Sequence, residues 1–391
     1  MNKSILQNAY DICRKKFDIH LEKYEGIFEF DACKNGDYYT ESKRGSFFDM
    51  YNWMTSFITG QAPIFYEIEK DNKYLKWAYK FAPAYRDKIF NHSLDTMHDI
   101  GFLYSPYSVE MYKLTGDSEH KVTAVKAADE LLKRFDIKGK YIDAWGRMDD
   151  DERQGRAIVD CMMNIQLLFW TWKETGHTIY RDVAKAHADT TVKYFVREDY
   201  SVCHSFTFDR KSGEVLAEFN GCGYSNGSHW ARGTAWMVYG LALTARYLDD
   251  KSYYDTAVKI AEKYIECCGK NVIPIWDFKL PEDMPAFELS HKNDPEWDVT
   301  DPENCKYNVD TSAAAIISCA MLELNKLYKN EKLADFTKKT TERLCSCYIN
   351  KDTSVAGILG SQNGQMTYTT FGDYFLLEAL TRLLHNTDVC W

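Results

Sequence analysis

The stretch RAIVDCMMNIQLLFWTWKETGHTIY, residues 156–180, contains one structural unit in outline. Apolar residues from Ile158 to Trp172 follow helical spacing and cover more than one face, as in a helix buried nearly all round. Gly176 stops that helix, and the polar residues after it open a second one. The unit is a helical hairpin. One carboxylate, Asp160, stands near the head of the apolar run, and a charge there is costly unless something stabilises it or uses it.

The same pattern recurs along the chain. Helical periodicity predicts helices over 3–17, 49–69, 73–90, 98–115, 118–136, 157–175, 178–197, 230–248, 251–268, 310–328, 331–348 and 370–386. Short polar turns join them in pairs: EKDNKY, LTGDSEH, ETGHTIY, LDDKSYY and LYKNEKL. The first and last helices are left without a hairpin partner, and pairing them closes a ring. The expected fold is all-α, an (α/α)6 barrel of six hairpins with inner and outer helices alternating. The repeat is one of pattern and not of sequence, which disfavours a fixed-period solenoid. A length of 391 residues fits two or three average domains or one large toroid. The ring selects the second, a single domain over 1–391.

Longer segments separate the hairpins. Residues 137–155, 198–229 and 269–309 are too long for structureless connections, so they are expected to be functional or to carry short strands. Aromatic residues run through them, unlike interdomain linkers.

Composition narrows the function. Aromatic residues make up 15% of the chain, including 10 Trp and 27 Tyr, which suits an aromatic-lined cleft or a generously packed core. The formal net charge is −10 and no Lys/Arg cluster offers a nucleic-acid footprint. The opening MNKSILQNAYDICRKKFDIH lacks the apolar core of a signal peptide, and no 18-residue apolar run suggests a membrane span. The 12 cysteines form no regular framework. Cys161 and Cys319 fall in apolar helical stretches, and Cys267, Cys268, Cys345 and Cys347 lack a zinc-ribbon partner set. They read as reduced thiols of a cytoplasmic protein, monomer or homodimer, with no nucleic-acid or membrane partner.

If the first helix of each hairpin is the inner one, the long segments all enter inner helices at their N-termini, on one rim. Trp53, His98, Asp99, Asp160, Trp230, Arg232, Asp310 and Asp373 fall there. Helix N-termini carry positive partial charge and free N–H groups, so this rim suits an anionic ligand. An Asp at a helix head is also an ordinary N-cap. Asp310 and Asp373 need no further role. Asp160 has Asn164 one turn along the same face, which capping does not explain, and Asp99 has His98 beside it. Paired carboxylates on one rim fit general acid/base chemistry, with burial and like charge pushing their pKa values apart. Arg232 offers a planar fork for a carboxylate. Trp53, Trp145 and Trp236 offer faces for sugar rings, while Trp170 and Trp172 read as core. No GxSxG, HExxH, EF-hand, CxxC pair or P-loop occurs, so neither a nucleophilic Ser centre nor a metal site is indicated.

The segments HDIGFLYSPYSVEMYKLTGD, IVDCMMNIQLLFWTWKETG, HWARGTAW and PIWDF together resemble the unsaturated glucuronyl hydrolases, glycoside hydrolase family 88. The resemblance runs from about MYNWMTSF to FGDYFLLEALTRLL. It implies an (α/α)6 barrel, no metal, no cofactor and an unsaturated oligosaccharide substrate from a polysaccharide lyase. The implied reaction is hydration of the C4=C5 vinyl ether of a 4,5-unsaturated uronic acid, outside the two-carboxylate glycosidase schemes. By motif, Asp160 resembles the acid/base and Asp99 the assisting aspartate. Trp53, His98, Trp145, His204, Arg232 and Trp236 match substrate-contacting positions, and Asn164 is added from its place on the helix face. Cys222 stands where many members have a substrate-binding glutamine, a role open to Asn220 or Asn226. Thr234 also replaces a glutamine. Ser361 in SQN lacks the lysine of sulfate-accepting members, which argues against a strong need for sulfate. Pro106 should kink or delay the helix after Asp99. A glycosaminoglycan-type substrate comes first. An unsaturated rhamnogalacturonyl hydrolase comes second, because RGTAW stands where that group has RGNGW. A non-catalytic sugar-binding toroid and a histidine-based epimerase are further rivals.

Overall fold

A computed structural model of the chain describes residues 2–29, 32–33, 36–38, 40, 53–150, 155–280, 309–360, 368–388 and 391. Ser361 and the start of the 49–69 helix lie outside these residues, as does most of the 269–309 segment.

Among the described residues, helical runs appear in the twelve places the periodicity marks. They are α1 (Lys3–Lys23), α2 (Ser56–Thr59 and Gln61–Glu69), α3 (Asn72–Tyr79 and Ala82–Asn91) and α4 (Ile100–Tyr104, a π turn at Ser105–Val109, then Glu110–Thr115). Next come α5 (Ser118–Leu132), α6 (Cys161–Asn164 and Gln166–Thr175), α7 (Thr178–Phe195) and α8 (Ala231–Leu248). The last are α9 (Lys251–Cys268), α10 (Thr311–Leu327), α11 (Glu331–Cys347) and α12 (Thr370–His385).

Four of the five described turns within hairpins follow one recipe; in the fifth, α10 ends on extended Tyr328 and Asn330 caps α11. In the four, the inner helix ends on a left-handed residue, Lys70, Gly116, Gly176 or Asp249. The next residue usually caps the outer helix: Asp71 accepts from Lys73 N, Asp117 from Glu119 N and Asp250 from Ser252 N. A two-residue reversal forces the second helix antiparallel to the first, so all the inner helices point the same way. The inner helices touch in the order α2, α4, α6, α8, α10, α12 and back to α2, and α1 packs outside α12. The ring of an (α/α)6 barrel is thereby closed.

Glycine lets inner helices meet closely at one end. A Cβ on Gly101 of α4 would lie 2.3 Å from the Cα and O of Asn164 in α6, and one on Gly240 of α8 would lie 2.5 Å from the Cβ of Met162. Helices α4 and α6 therefore converge just below their N-termini, while α8 meets the head of α6 at mid-length and Val159 at its first turn, through Gly233.

Short strands fill the long connections. β1 (Ala32–Cys33) pairs antiparallel with β7 (Tyr368–Thr369), and β2 (Phe135–Asp136) with β3 (Tyr141–Ile142). β4 (Gly155–Ile158), β5 (Ser205–Phe208) and β6 (Val215–Phe219) form an antiparallel sheet of order β4-β5-β6. Several helix boundaries need correcting: α1 runs past residue 17 to Lys23, and α7 ends at Phe195. Residues 157–158 lie in β4, because Ile158 pairs with Ser205 and Ala157 with Phe206. Residues 135–136 lie in β2 for the same reason, pairing with Ile142 and Tyr141. Pro106 does not delay α4, which begins at Ile100. Its missing N–H is absorbed by the π turn, with Gly60 of α2 leaving room for the ring.

No described helix is long and apolar enough to cross a membrane. Cys161, Cys222, Cys267, Cys268, Cys319, Cys345 and Cys347 form no disulfide among the described residues.

Candidate functional site

The site is built where α4, α6 and α8 converge. Asp99 is the last residue before α4 and Asp160 the last before α6, and neither side chain caps its helix. The Oδ1 of Asp160 is sealed from solvent and has no hydrogen-bond partner. Other buried side-chain atoms, Glu29 Oε2 among them, also lack a partner, so what marks Asp160 for chemistry is the unpaired oxygen together with its place beside Asp99 and Arg232. Burial raises the Asp160 pKa to about 7, the nearby Asp99 adds to that, and Arg232 opposes it. Burial likewise raises Asp99 to about 7, against the Arg134 guanidinium and a hydrogen bond with Asn164. The sequence suggested two values driven apart, but burial dominates at both positions and lifts both carboxyls to near neutrality.

Strand pairing brings in the histidines. Val159 N donates to His204 O at 2.9 Å, next to the Ile158–Ser205 pair, so His204 stands beside Asp160 although 44 residues separate them in sequence. Nδ1 of His204 accepts from Gly221 N at 3.1 Å, which puts its proton on Nε2. Burial holds His204 down to about 3, helped by Arg156 and Arg232. His98 is held down to about 3 by burial and then by Arg134, and its Nε2 lies 3.3 Å from Asp99 Oδ1. Both rings are neutral donors at pH 7, which leaves carboxyls as the groups that titrate there.

His98 N donates to Ala144 O, and Ala144 N to Arg156 O. This clamps the 143–146 turn against β4 and fixes Trp145 at the rim, where it is 41% exposed. The Arg156 guanidinium lies 4.9 Å from the Trp145 ring and 4.3 Å from Phe219. Trp53 is half-buried and stacks on Phe371 with centroids 5.1 Å apart.

Arg232 enters from the first turn of α8. Its Nη1 bonds to Asp310 and lies 3.4 Å from Ser312 Oγ, and its guanidinium sits 4.8 Å from Trp230 and 5.3 Å from Phe371. No described residue accepts from its Nε or Nη2. Cys222 lies within the field of both Asp160 and Arg232, and burial pushes its thiol up to about 12, so it is a neutral group there. Trp276 Nε1 donates to Cys222 O at 3.0 Å and anchors this loop.

The structure thus brings Asp99, Asp160, His98, His204, Cys222 and Arg232 together, with Trp53 and Trp145 at the edges. Three expectations need correcting. Trp236 is 1% exposed and wedged between Phe102 and Phe375, with no ring face for a sugar. Asn164 is fully buried and spends its amide on Phe102 N and Asp160 O, so it supports the aspartates from below. Asn220 and Asn226 do not replace the glutamine. Asn220 is bonded to Ser225, Ser228 and Gly223, and Asn226 to Asn220 N and Glu218 O. Asp310 does cap α10, through Ala313 N. Asp373 lies inside α12 and accepts from Ile358 N and Leu359 N.

Sequence reasoning missed Arg134 and Arg156. Arg134 is 2% exposed and donates to the carbonyls of Asp143, Thr96 and Gly146, a buried positive charge behind Asp99 and His98. It lies at the end of a polar helix with nothing in its spacing to mark it. Arg156 begins the opening stretch, and its alternation with Ile158 was the available signal. Among the described residues no group of three His, Cys, Asp or Glu side chains could hold a metal ion.

The arrangement pairs two carboxyls that change charge near pH 7 with a guanidinium fork and exposed aromatic faces. It can donate and recover a proton beside a bound anionic sugar. The sequence model of Glycosyl Hydrolase Family 88 matches residues 35–277. The unsaturated glucuronyl hydrolase of Bacillus sp. (strain GL1) is 31% identical over 94% of this chain and 96% of its own length. The unsaturated chondroitin disaccharide hydrolase of Streptococcus pneumoniae (strain ATCC BAA-255 / R6) is 28% identical over 100% of this chain and 95% of its own. The crystal structure of unsaturated glucuronyl hydrolase from Streptococcus agalactiae superposes with a TM-score of 0.85 at 27% identity, covering 100% of this chain and 94% of that one.

Proposed function

The chain belongs to glycoside hydrolase family 88, and from that membership we propose that this single barrel removes the 4,5-unsaturated uronic acid from lyase-derived oligosaccharides, with Asp160 as the acid/base. It is an unsaturated glucuronyl hydrolase, and a glycosaminoglycan-type disaccharide is the proposed substrate, in keeping with the relatives' chondroitin activity.

The observation that carries the assignment is the sealed, unpartnered Oδ1 of Asp160 on a carboxyl whose pKa is raised to about 7. At neutral pH a large share of Asp160 holds a proton. It gives that proton to C4 of the vinyl ether, and the positive charge that develops is shared between C5 and the ring oxygen. Water adds at C5 and returns a proton to the Asp160 carboxylate, leaving a hemiketal. Ring opening breaks the bond between C5 and the ring oxygen and leaves C1 as a hemiacetal, which expels the second sugar as an alcohol. One water is consumed and the acid is regenerated. Asp99 and the Nε2–H of His204 orient the substrate and the water. The free edge of Arg232 takes the uronate carboxylate, and Trp53 and Trp145 take sugar faces.

The absence of disulfides among the described cysteines supports a reducing, cytoplasmic setting.

The test follows the ultraviolet absorbance of the conjugated uronate in unsaturated chondroitin, hyaluronan, heparin-type, gellan-type and rhamnogalacturonan products. Loss of absorbance with a glycosaminoglycan disaccharide is expected, together with loss of turnover in Asp160→Asn of native fold. No loss on any of them overturns the proposal, and turnover confined to the rhamnogalacturonan product moves it to the second substrate class.

A further inference from the structure

We propose that Asp310 is a positioning residue, whose carboxylate holds the Arg232 guanidinium against the site and tempers the charge that Asp160 meets. The proposal rests on the reading of Asp160 and Arg232 given above.

From the sequence Asp310 is a helix cap and nothing more. A cap needs one oxygen. Oδ1 does that work, accepting from Ala313 N at 2.9 Å and from Ser312 Oγ at 2.5 Å. Oδ2 is turned to a different helix, where it binds Nη1 of Arg232. The residue is 7% exposed, and its own N donates to Pro274 O at 2.9 Å, so the carboxylate sits on a fixed base. The Arg232 side chain is held at one end by Asp310 and flanked by Trp230 and Phe371.

Two consequences follow. Holding Nη1 in place leaves Nε and Nη2 as a pre-set edge, so substrate binding need not freeze a mobile side chain. The Asp310 charge also offsets part of the Arg232 charge. The groups facing Asp160 are Asp99 from the head of α4, Arg232 from α8 and Cys222 from the loop before α8. Neutral His204 stands on the paired strand. Arg232 is the cation among them. Without its counter-charge it would favour ionised Asp160 and empty the acid.

Asp310→Asn separates this role from capping, because Asn and Asp cap helices about equally well. The expected result is a rise in KM of about tenfold with a smaller change in kcat at the optimum, since a charge-assisted anchor is worth about that factor. The alkaline limb of kcat/KM should move to lower pH, and Asp310→Glu should return it. Carbon-13 NMR titration of Asp160 in the unliganded protein should show its midpoint falling in Asp310→Asn. Asp310→Ser, also a good cap without charge, repeats the test should the Asn variant not fold. Wild-type KM and pH profile in the neutral variants overturn the proposal. Absence of turnover in the unsubstituted protein overturns the functional reading instead, and the NMR midpoint still decides the role of Asp310, an unmoved midpoint sinking it.

Discussion

The backbone N–H of Phe102 donates to Oδ1 of Asn164 at 2.6 Å, and Nδ2 of the same side chain donates to the carbonyl of Asp160 at 3.2 Å. One buried amide thus ties the helix after Asp99 to the residue that carries the acid. Gly101 packs on the backbone of Asn164, so the two helix heads approach as closely as backbone allows. The separation of the two carboxyls is set here. Asn164→Ala should leave the Phe102 N–H buried and unpaired, at a cost of about 1–3 kcal/mol in denaturant unfolding. It should lower kcat more than it raises KM, because the aspartates drift while the binding surface stays. A variant with unchanged kcat would remove Asn164 from the positioning of the pair.

The raised pKa values of Asp99 and Asp160 also predict how stability responds to pH. In the folded protein both carboxyls keep their proton up to about pH 7, whereas in the unfolded chain they release it near the ordinary value of 3.8. Between these limits the folded state binds more protons than the unfolded state, so stability falls as pH rises and levels off above neutrality. A shift of about three units corresponds to a few kcal/mol for one such group. Asp160→Asn has no proton to lose. Its melting temperature should match that of the unsubstituted protein near pH 4 and exceed it at pH 8. Equal melting temperatures at pH 8 would mean that Asp160 ionises in the folded state without penalty.

Much of the ring was legible because its signals are local. Helical periodicity and the Gly-Asp or Asp-Asp turns are written into a few adjacent residues, and the same short reversals recur in the structure. Asp160 was legible because a carboxylate interrupts an apolar run. What was not legible depends on contacts distant in sequence. Nothing near Asp160 announces that His204 lies beside it, since that follows from β4 pairing with β5. Nothing near Asp310 announces Arg232, which is 78 residues earlier. Trp236 and Asn164 were misjudged for a related reason. Position along a helix gives a residue's height below the rim, but which side faces a neighbouring helix is decided by Phe102 and Phe375, from other hairpins.

Arg232 offers a direct test of fork against point charge. Its Nη1 is committed to Asp310, which leaves a planar edge for the uronate. Lysine would keep the charge but could not hold the Asp310 contact and two parallel bonds to a carboxylate at once. Arg232→Lys should raise KM by about tenfold to a hundredfold, the worth of one or two charge-assisted hydrogen bonds. Steady-state kinetics on the unsaturated disaccharide gives the answer. A KM within twofold of the unsubstituted enzyme would show that only the charge matters.

Two tryptophans from the same family resemblance should part company under substitution. Trp145 is 41% exposed at the rim with Arg156 beside its ring, whereas Trp236 is 1% exposed between Phe102 and Phe375. Trp145→Ala removes a sugar platform but little core, so stability should change by about 0.5 kcal/mol or less. Its KM should rise several-fold, since a ring contact of this kind is worth about 0.5–1.5 kcal/mol. Trp236→Ala opens a cavity under the site and should cost about 3–5 kcal/mol of stability. Measured well below its lowered melting point, it should retain a KM close to normal. Urea unfolding and steady-state kinetics on both variants separate the roles. A large loss of affinity in Trp236→Ala without loss of stability would return that ring to the substrate surface.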